Sequence, residues 1–233
     1  MTSASYHERR SAVTTYFDQT ASDAWARLTS DEPVSRIRAT VRAGRDRMRE
    51  TLLSWLPQDM HGLRLLDAGC GSGALAIEAA RRGAQVVAID VAPTLVSIAQ
   101  SRVPPDVGAG SIDFRVGDML DPALGVFDHV VSMDVLIHYG REDTARALGA
   151  LARRTRSSIA FTFAPRTPLL GAMHTVGKLF PRSDRSPAIQ PVTEAALTRA
   201  IAAQSDLAGW TPVRGQRVKS GFYISQAMEL RPA

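Results

Sequence analysis

Apolar residues recur along this chain at two periods, and the way those periods alternate predicts most of its elements. Short apolar runs of strand length fall at 64–68, 85–90, 112–116, 127–133 and 158–164, and between them 74–82, 93–102 and about 142–154 carry helical spacing. Alternation of this kind folds as a parallel sheet with helices on both faces. After it, 192–204 is again helical, and 211–219 and 221–229 read as two strands joined at Ser220-Gly221, an antiparallel hairpin. The expected architecture is therefore α/β, with a mostly parallel seven-stranded sheet that ends in an antiparallel pair.

The N-terminal stretch is patterned differently. From Tyr6 to Leu28 the apolar positions are loosely spaced, as on one face of a helix or of two short ones. Ser30-Asp31-Glu32-Pro33 has the residues of a helix start, and Ile37, Val41, Met48, Leu52 and Trp55 then recur at helical spacing until Pro57. Residues 1–56 are expected as a helical arm or cap on a core at 57–233. The stretch 166–191 interrupts that core with four prolines and two glycines among Leu169, Leu170, Met173, Leu179 and Phe180. A long amphipathic insertion after a strand end reads as a lid.

Composition narrows the class. No apolar run approaches the ~18 residues that span a bilayer. Residues 1–10 are polar with no apolar segment behind them, so no secretory signal is expected and placement in the cytoplasm follows. The single cysteine, Cys70, has no partner for an internal disulfide and no companion at metal-ligand spacing, so no metal site is expected. Charge is uneven along the +5 chain: residues 61–150 carry 7 basic and 11 acidic side chains, and residues 151–233 carry 12 and 4. An acidic centre suits a cationic cofactor, and a basic flank suits an anionic substrate, an acidic partner or an anionic membrane surface; a solvated surface is the alternative. On the helix before Pro57, Arg38, Arg42, Arg45 and Arg49 fall on one side as a basic stripe, fit either for solvent or for a carboxylate.

The candidate chemistry centres on Leu65-Leu66-Asp67-Ala68-Gly69-Cys70-Gly71-Ser72-Gly73, a strand that opens into glycines just where a helix begins. Asp67, Asp90, Asp118 and Asp134 each stand at or just beyond a strand end, and in an open α/β sheet ligands bind along that edge. Asp90 is placed to accept from two ribose hydroxyls. Asp118 is placed to accept from an adenine amino group with the Met119 amide beside it, and Val91 and Met119 to sandwich the purine. A nicotinamide dinucleotide fits Gly69-x-Gly71-x-x-Ala74, and an S-adenosyl cofactor fits Asp67 with Gly69, Gly71 and Gly73.

The series Asp67 to Gly73, Asp90, Gly117-Asp118 and Phe127-Asp128-x-Val130-Val131 resembles the class I S-adenosylmethionine-dependent methyltransferases over the middle half of the chain. The resemblance implies a Rossmann-like methyltransferase fold and a cofactor site of Asp67, Gly69, Cys70, Gly71, Gly73, Asp90, Val91, Asp118, Met119, Met133 and Asp134. The flanks add Tyr16-Phe17-Asp18-x-Thr20, Ile37-Arg38-Ala39-x-Val41-Arg42, Leu136-Ile137-His138-Tyr139 and Phe163-Ala164-Pro165-Arg166-Thr167. Together these resemble the magnesium-protoporphyrin O-methyltransferases of chlorophyll and bacteriochlorophyll synthesis, nearly end to end. That resemblance implies methyl transfer from S-adenosyl-L-methionine to one propionate of Mg-protoporphyrin IX, leaving S-adenosyl-L-homocysteine. It also implies coupling to the large subunit of magnesium chelatase and loose attachment to photosynthetic membranes.

Within that family reading, His138 is the expected neutral donor to the reacting carboxylate. Where the family pattern has an arm tyrosine shortly after a tryptophan, here Trp25, this chain has Thr29, so either Thr29 takes the part or Tyr16 covers the cofactor instead. Arg38, Arg42 and Arg166 are expected to hold the second propionate, and Leu169, Leu170, Met173 and Phe180 to pack on the macrocycle. The alternatives are another small-molecule O-methyltransferase acting on a phenol or quinone precursor, and a porphyrin-carrying delivery protein. Nucleic acid is not expected as a substrate, because Asp134-Val135-Leu136 stands where an Asn/Asp-Pro-Pro-aromatic motif would be needed.

Overall fold

A computed structural model of the chain describes residues 4–17, 36–166 and 188–233. Its strands are β1 (Arg64–Ala68), β2 (Gln85–Asp90), β3 (Ser111–Val116), β4 (Phe127–Ser132), β5 (Thr155–Phe163), β6 (Trp210–Ser220) and β7 (Tyr223–Pro232). They form one sheet in the order β3-β2-β1-β4-β5-β7-β6, parallel from β3 to β5 and antiparallel at β5/β7 and β6/β7. The helices are α1 (Ala4–Thr15), α2 (Arg36–Ser54), α3 (Ala74–Arg81), α4 (Pro93–Ser101), α5 (Arg141–Ala152) and α6 (Glu194–Ala202). The expected parallel sheet with its antiparallel C-terminal pair is the observed one.

Strand alternation divides the core between two faces of the sheet. Leu66, Val87, Val130 and Ile159 pack on one side with Leu148 and Leu151 of α5 and Leu197 and Ile201 of α6. Their neighbours Leu65, Val86, Val131 and Ala160 pack on the other with Met48 and Leu52 of α2 and Ala76 and Ala80 of α3. Because the central strands are covered on both faces, they are apolar almost throughout rather than alternating.

The two described helices of the expected arm, residues 1–56, attach to the sheet differently. Helix α2 is part of the layer that covers the sheet: Met48 and Leu52 are fully buried, and Gly44 lets the helix come so close to β7 that a Cβ there would fall 2.5 Å from Cδ1 of Tyr223. Helix α1 inserts a single buried residue, Tyr6, into the core cluster beside Tyr139. Strand β5 starts three residues before the expected position because Thr155 already pairs with Phe127. The first hairpin strand runs one residue longer at each end than expected, and the second starts two residues later and ends three later, at Tyr223–Pro232, leaving Gly221-Phe222 as the turn. Among the described residues no helix is long and apolar enough to cross a membrane. The expected lid lies outside the described residues except for Arg166 and 188–191.

Candidate active site

The parallel strands put the ends of β1 to β4 on one edge, and a cavity of about 570 Å³ opens there. Its floor is the loop between β1 and α3, stitched to β2 by the N–H groups of Gly69 and Cys70, which both donate to the Ile89 carbonyl (2.8 and 3.0 Å). Gly69 has φ +84, and a Cβ there would fall 2.1 Å from Cγ2 of Val135. Gly73, at the N-terminus of α3, has φ +77 and a Cβ position 3.0 Å from the Ala99 methyl. Both positions need a residue without a side chain. Gly69, Cys70 and Gly71 line the cavity, whereas Gly73 serves the turn and the close packing of α3 on α4.

Asp67 is 2% exposed on the cavity wall, and its Oδ2 has no hydrogen-bond partner. Burial, and then the nearby charge of Asp90, push its carboxyl up to about 7, against the pull of the Ala76 N–H. A buried carboxylate oxygen left unsatisfied beside a cavity fits an ammonium group, which would supply the missing charge and donors. Asp90, at the end of β2, accepts from the N–H groups of Gly71 (2.9 Å) and Ala92 (3.0 Å), one on each oxygen. Burial raises its pKa, and those amides oppose the rise. Each of its oxygens keeps a lone pair for a ligand hydroxyl. Val91, Met119 and Met133 line the same cavity. The loop, the open Asp67 oxygen and the Asp90 carboxylate together fit an amino acid joined to a ribose.

Beyond β3, Asp118 is held by α1 in a way the sequence pattern does not show. Its Oδ1 accepts from the Tyr6 hydroxyl (2.8 Å) and the Leu120 N–H (2.9 Å), and its Oδ2 pairs with Arg10. Tyr6 stacks on Tyr139 with ring centroids 5.0 Å apart, Ser5 donates to Asp143 (2.6 Å), and Arg9 donates to the His138 carbonyl (3.3 Å). Burial raises the Tyr6 hydroxyl far above its usual range, so it acts as a neutral donor. The carboxylate expected to read adenine thus also anchors the helix that closes this end of the cavity.

Asp134 follows β4 with φ +57, a left-handed conformation that aspartate tolerates better than most residues. Its carboxylate accepts from Arg45 of α2 (2.6 Å), from the Tyr223 hydroxyl (3.0 and 3.2 Å) and from Ser225 (3.4 Å). Its N–H donates to Oγ1 of Thr162 (2.7 Å). Although Asp134 lines the cavity, its oxygens are committed to tying α2, β5 and β7 together.

His138 ends the short turn Leu136–His138, 7% exposed on the cavity wall, with the Phe17 ring 6.5 Å away at an edge. Tyr16 lines the cavity nearby, its hydroxyl pKa raised by burial. Of the basic stripe, Arg42, Arg45 and Arg49 reach the cavity, and Arg45 is the one locked to Asp134. Arg38, one turn nearer the start of α2, does not line it. Arg166 is exposed, donates its N–H to the Val192 carbonyl (2.9 Å) and stands outside the lining as well. Thr29, Leu169, Leu170, Met173 and Phe180 lie outside the described residues. Sequence reasoning missed Tyr6, Arg10 and Tyr223, whose partners are 89 to 112 positions away, and no local pattern marks such pairs.

Comparison with known proteins extends this geometry. The family described as magnesium-protoporphyrin IX methyltransferase C-terminus matches residues 132–232, and a general methyltransferase domain matches residues 65–158. The magnesium-protoporphyrin O-methyltransferase of Rhodobacter capsulatus is 52% identical over 97% of this chain and 98% of its own. That of Synechocystis is 29% identical, over 98% of each chain. The crystal structure of magnesium protoporphyrin IX methyltransferase from Synechocystis PCC 6803 with bound SAH superposes with a TM-score of 0.82 at 27% identity, covering 96% of this chain and all of that one. With likeness over the whole length, the cofactor is S-adenosylmethionine and the chain belongs to the magnesium-protoporphyrin O-methyltransferase family.

Proposed function

We propose that this enzyme transfers the methyl group of S-adenosyl-L-methionine to one propionate carboxylate of Mg-protoporphyrin IX, giving the monomethyl ester. The observation that carries the reading is one cavity with two chemistries: an acidic, glycine-lined floor on the sheet edge, and a wall with His138 and the arginines of α2. Bound S-adenosylmethionine supplies a methyl group activated on a sulfonium.

Asp67 and the loop would hold its amino acid portion, Asp90 its ribose, and Val91 and Met119 the faces of its purine. A propionate is ionised at neutral pH, so the nucleophile needs no general base. Charge is cancelled as it attacks, so a dry, well-aligned site favours the step. An arginine on the reacting oxygen would oppose it by stabilising the starting carboxylate. His138 therefore receives the reacting propionate through a weaker neutral bond, while Arg42 and Arg49 take the other.

The decisive experiment is mass spectrometry of Mg-protoporphyrin IX incubated with the enzyme and S-adenosylmethionine. A single added methyl ester is expected; none, from protein that still binds S-adenosylhomocysteine, would overturn the reading. We further infer a cytoplasmic enzyme that touches membranes peripherally and takes its substrate from the large subunit of magnesium chelatase. The basic excess of residues 151–233 supports both contacts. Failure to float with anionic vesicles, or to co-elute with that subunit, would remove the corresponding contact.

A further inference from the structure

The turn between β6 and β7 carries an aromatic residue to which none of the chemistry above gives a part. Phe222 is 48% exposed and also lines the cavity, so its ring belongs to the rim. Tight turns favour small and polar residues, so a large aromatic ring half in water at this one is an exception to that preference.

The turn that carries it is seated on α2. Gly221 has φ +55, and a Cβ there would fall 2.3 Å from Oγ1 of Thr40, so the turn is pressed onto α2. On the other side, Tyr223 packs its ring on Gly44 and ties its hydroxyl to Asp134. Arg47 donates to the Lys219 carbonyl (3.3 Å), pinning the end of β6 to the same helix. Helix α2 also brings Arg42 and Arg49 to the cavity. Helix α2 thus both seats the turn that carries Phe222 and brings two arginines to the same cavity.

We propose that Phe222 is a substrate-recognition residue: a preorganised platform on which the flat face of the tetrapyrrole stacks, while the α2 arginines meet a propionate. This rests on the substrate reading above. A ring carried on a turn whose backbone is already seated gives up less conformational freedom on binding, and aromatic faces gain from offset stacking beyond simple burial.

The test compares Phe222→Ala and Phe222→Trp with the unaltered enzyme, measuring KM and kcat for Mg-protoporphyrin IX together with the affinity for S-adenosylhomocysteine. Phe222→Ala is expected to raise KM by about tenfold with kcat within about twofold. S-adenosylhomocysteine binding should be unchanged, and Phe222→Trp should restore KM to near the original value. An unchanged KM in Phe222→Ala, equal loss in both variants, or loss of S-adenosylhomocysteine affinity would each overturn the platform. Absence of ester formation by the unaltered enzyme is the separate failure of the substrate reading. Ester formation with the same KM in the Ala variant is the failure of the platform alone.

Discussion

Two single residues carry the sharpest consequences. Asp67 is a buried carboxyl whose pKa stands at about 7, against about 3.9 for an unstructured aspartate. The folded state therefore holds a proton that the unfolded chain has lost between about pH 4 and pH 7. The stability tied to that proton is complete below about pH 4 and disappears as pH rises through about 7. Asp67→Asn keeps the shape without the charge, so in the absence of ligand its melting temperature should exceed that of the unaltered protein by more at pH 8 than at pH 5. An equal difference at the two pH values would remove the buried charge as the cause. His138 is the second case. Replacing it with alanine should lower kcat for methyl transfer about tenfold, the worth of one hydrogen bond in the transition state, while S-adenosylhomocysteine affinity measured by calorimetry stays within about twofold. Full retained turnover would take the residue out of the reaction.

At the scale of elements, α1 and α2 attach to the sheet by different physics. Helix α1 buries one side chain and holds on through polar contacts to Asp118, Asp143 and the His138 carbonyl. Such an attachment opens locally at low cost compared with the core. Helix α2 is anchored by Met48, Leu52 and Leu53 and approaches β7 at Gly44. Gly44→Ala has no room beside the Tyr223 ring, so it should lower unfolding stability by about 1 to 3 kcal/mol in denaturant titration. It should also raise KM for the porphyrin, because Tyr223 holds both Asp134 and the hairpin turn. Wild-type stability in this variant would show that the helix shifts freely, against the close packing seen here. The order of strands and helices from 64 to 164 was legible in the sequence because each element has its own period and its own terminator. What each N-terminal helix packs against was not legible, since helical spacing marks an apolar face without saying what covers it.

For the molecule as a whole, the carboxyl edge of the sheet is where folding and binding meet. Asp90 joins the glycine loop to the start of α4 through the Gly71 and Ala92 amides, so a ligand held there bridges parts of the chain that separate on unfolding. S-adenosylhomocysteine at about one hundred times its Kd should stabilise the protein by about 2.7 kcal/mol, a rise of about 5 to 10 °C in Tm. In Asp90→Ala that rise should vanish at the same ligand concentration. An undiminished shift would place the ribose elsewhere.

The sequence by itself determined the parallel sheet, the glycine loop and the row of aspartates at one edge, because period, turn chemistry and strand-end position are local properties of the chain. It also brought His138 and the α2 arginines into view as candidates. Only the tertiary structure decided how those groups divide their tasks. Asp67 keeps an open oxygen, whereas Asp118 is shared with Tyr6 and Arg10, and Asp134 is tied to Arg45 and Tyr223. It likewise decided that Arg42 and Arg49 face the cavity while Arg38 and Arg166 do not, and that Phe222 stands on its rim. The physical reason is the distance in sequence between partners. Hydrogen bonds across 89 to 112 positions exist only once the sheet has closed, and they set what each carboxylate has left to offer a ligand.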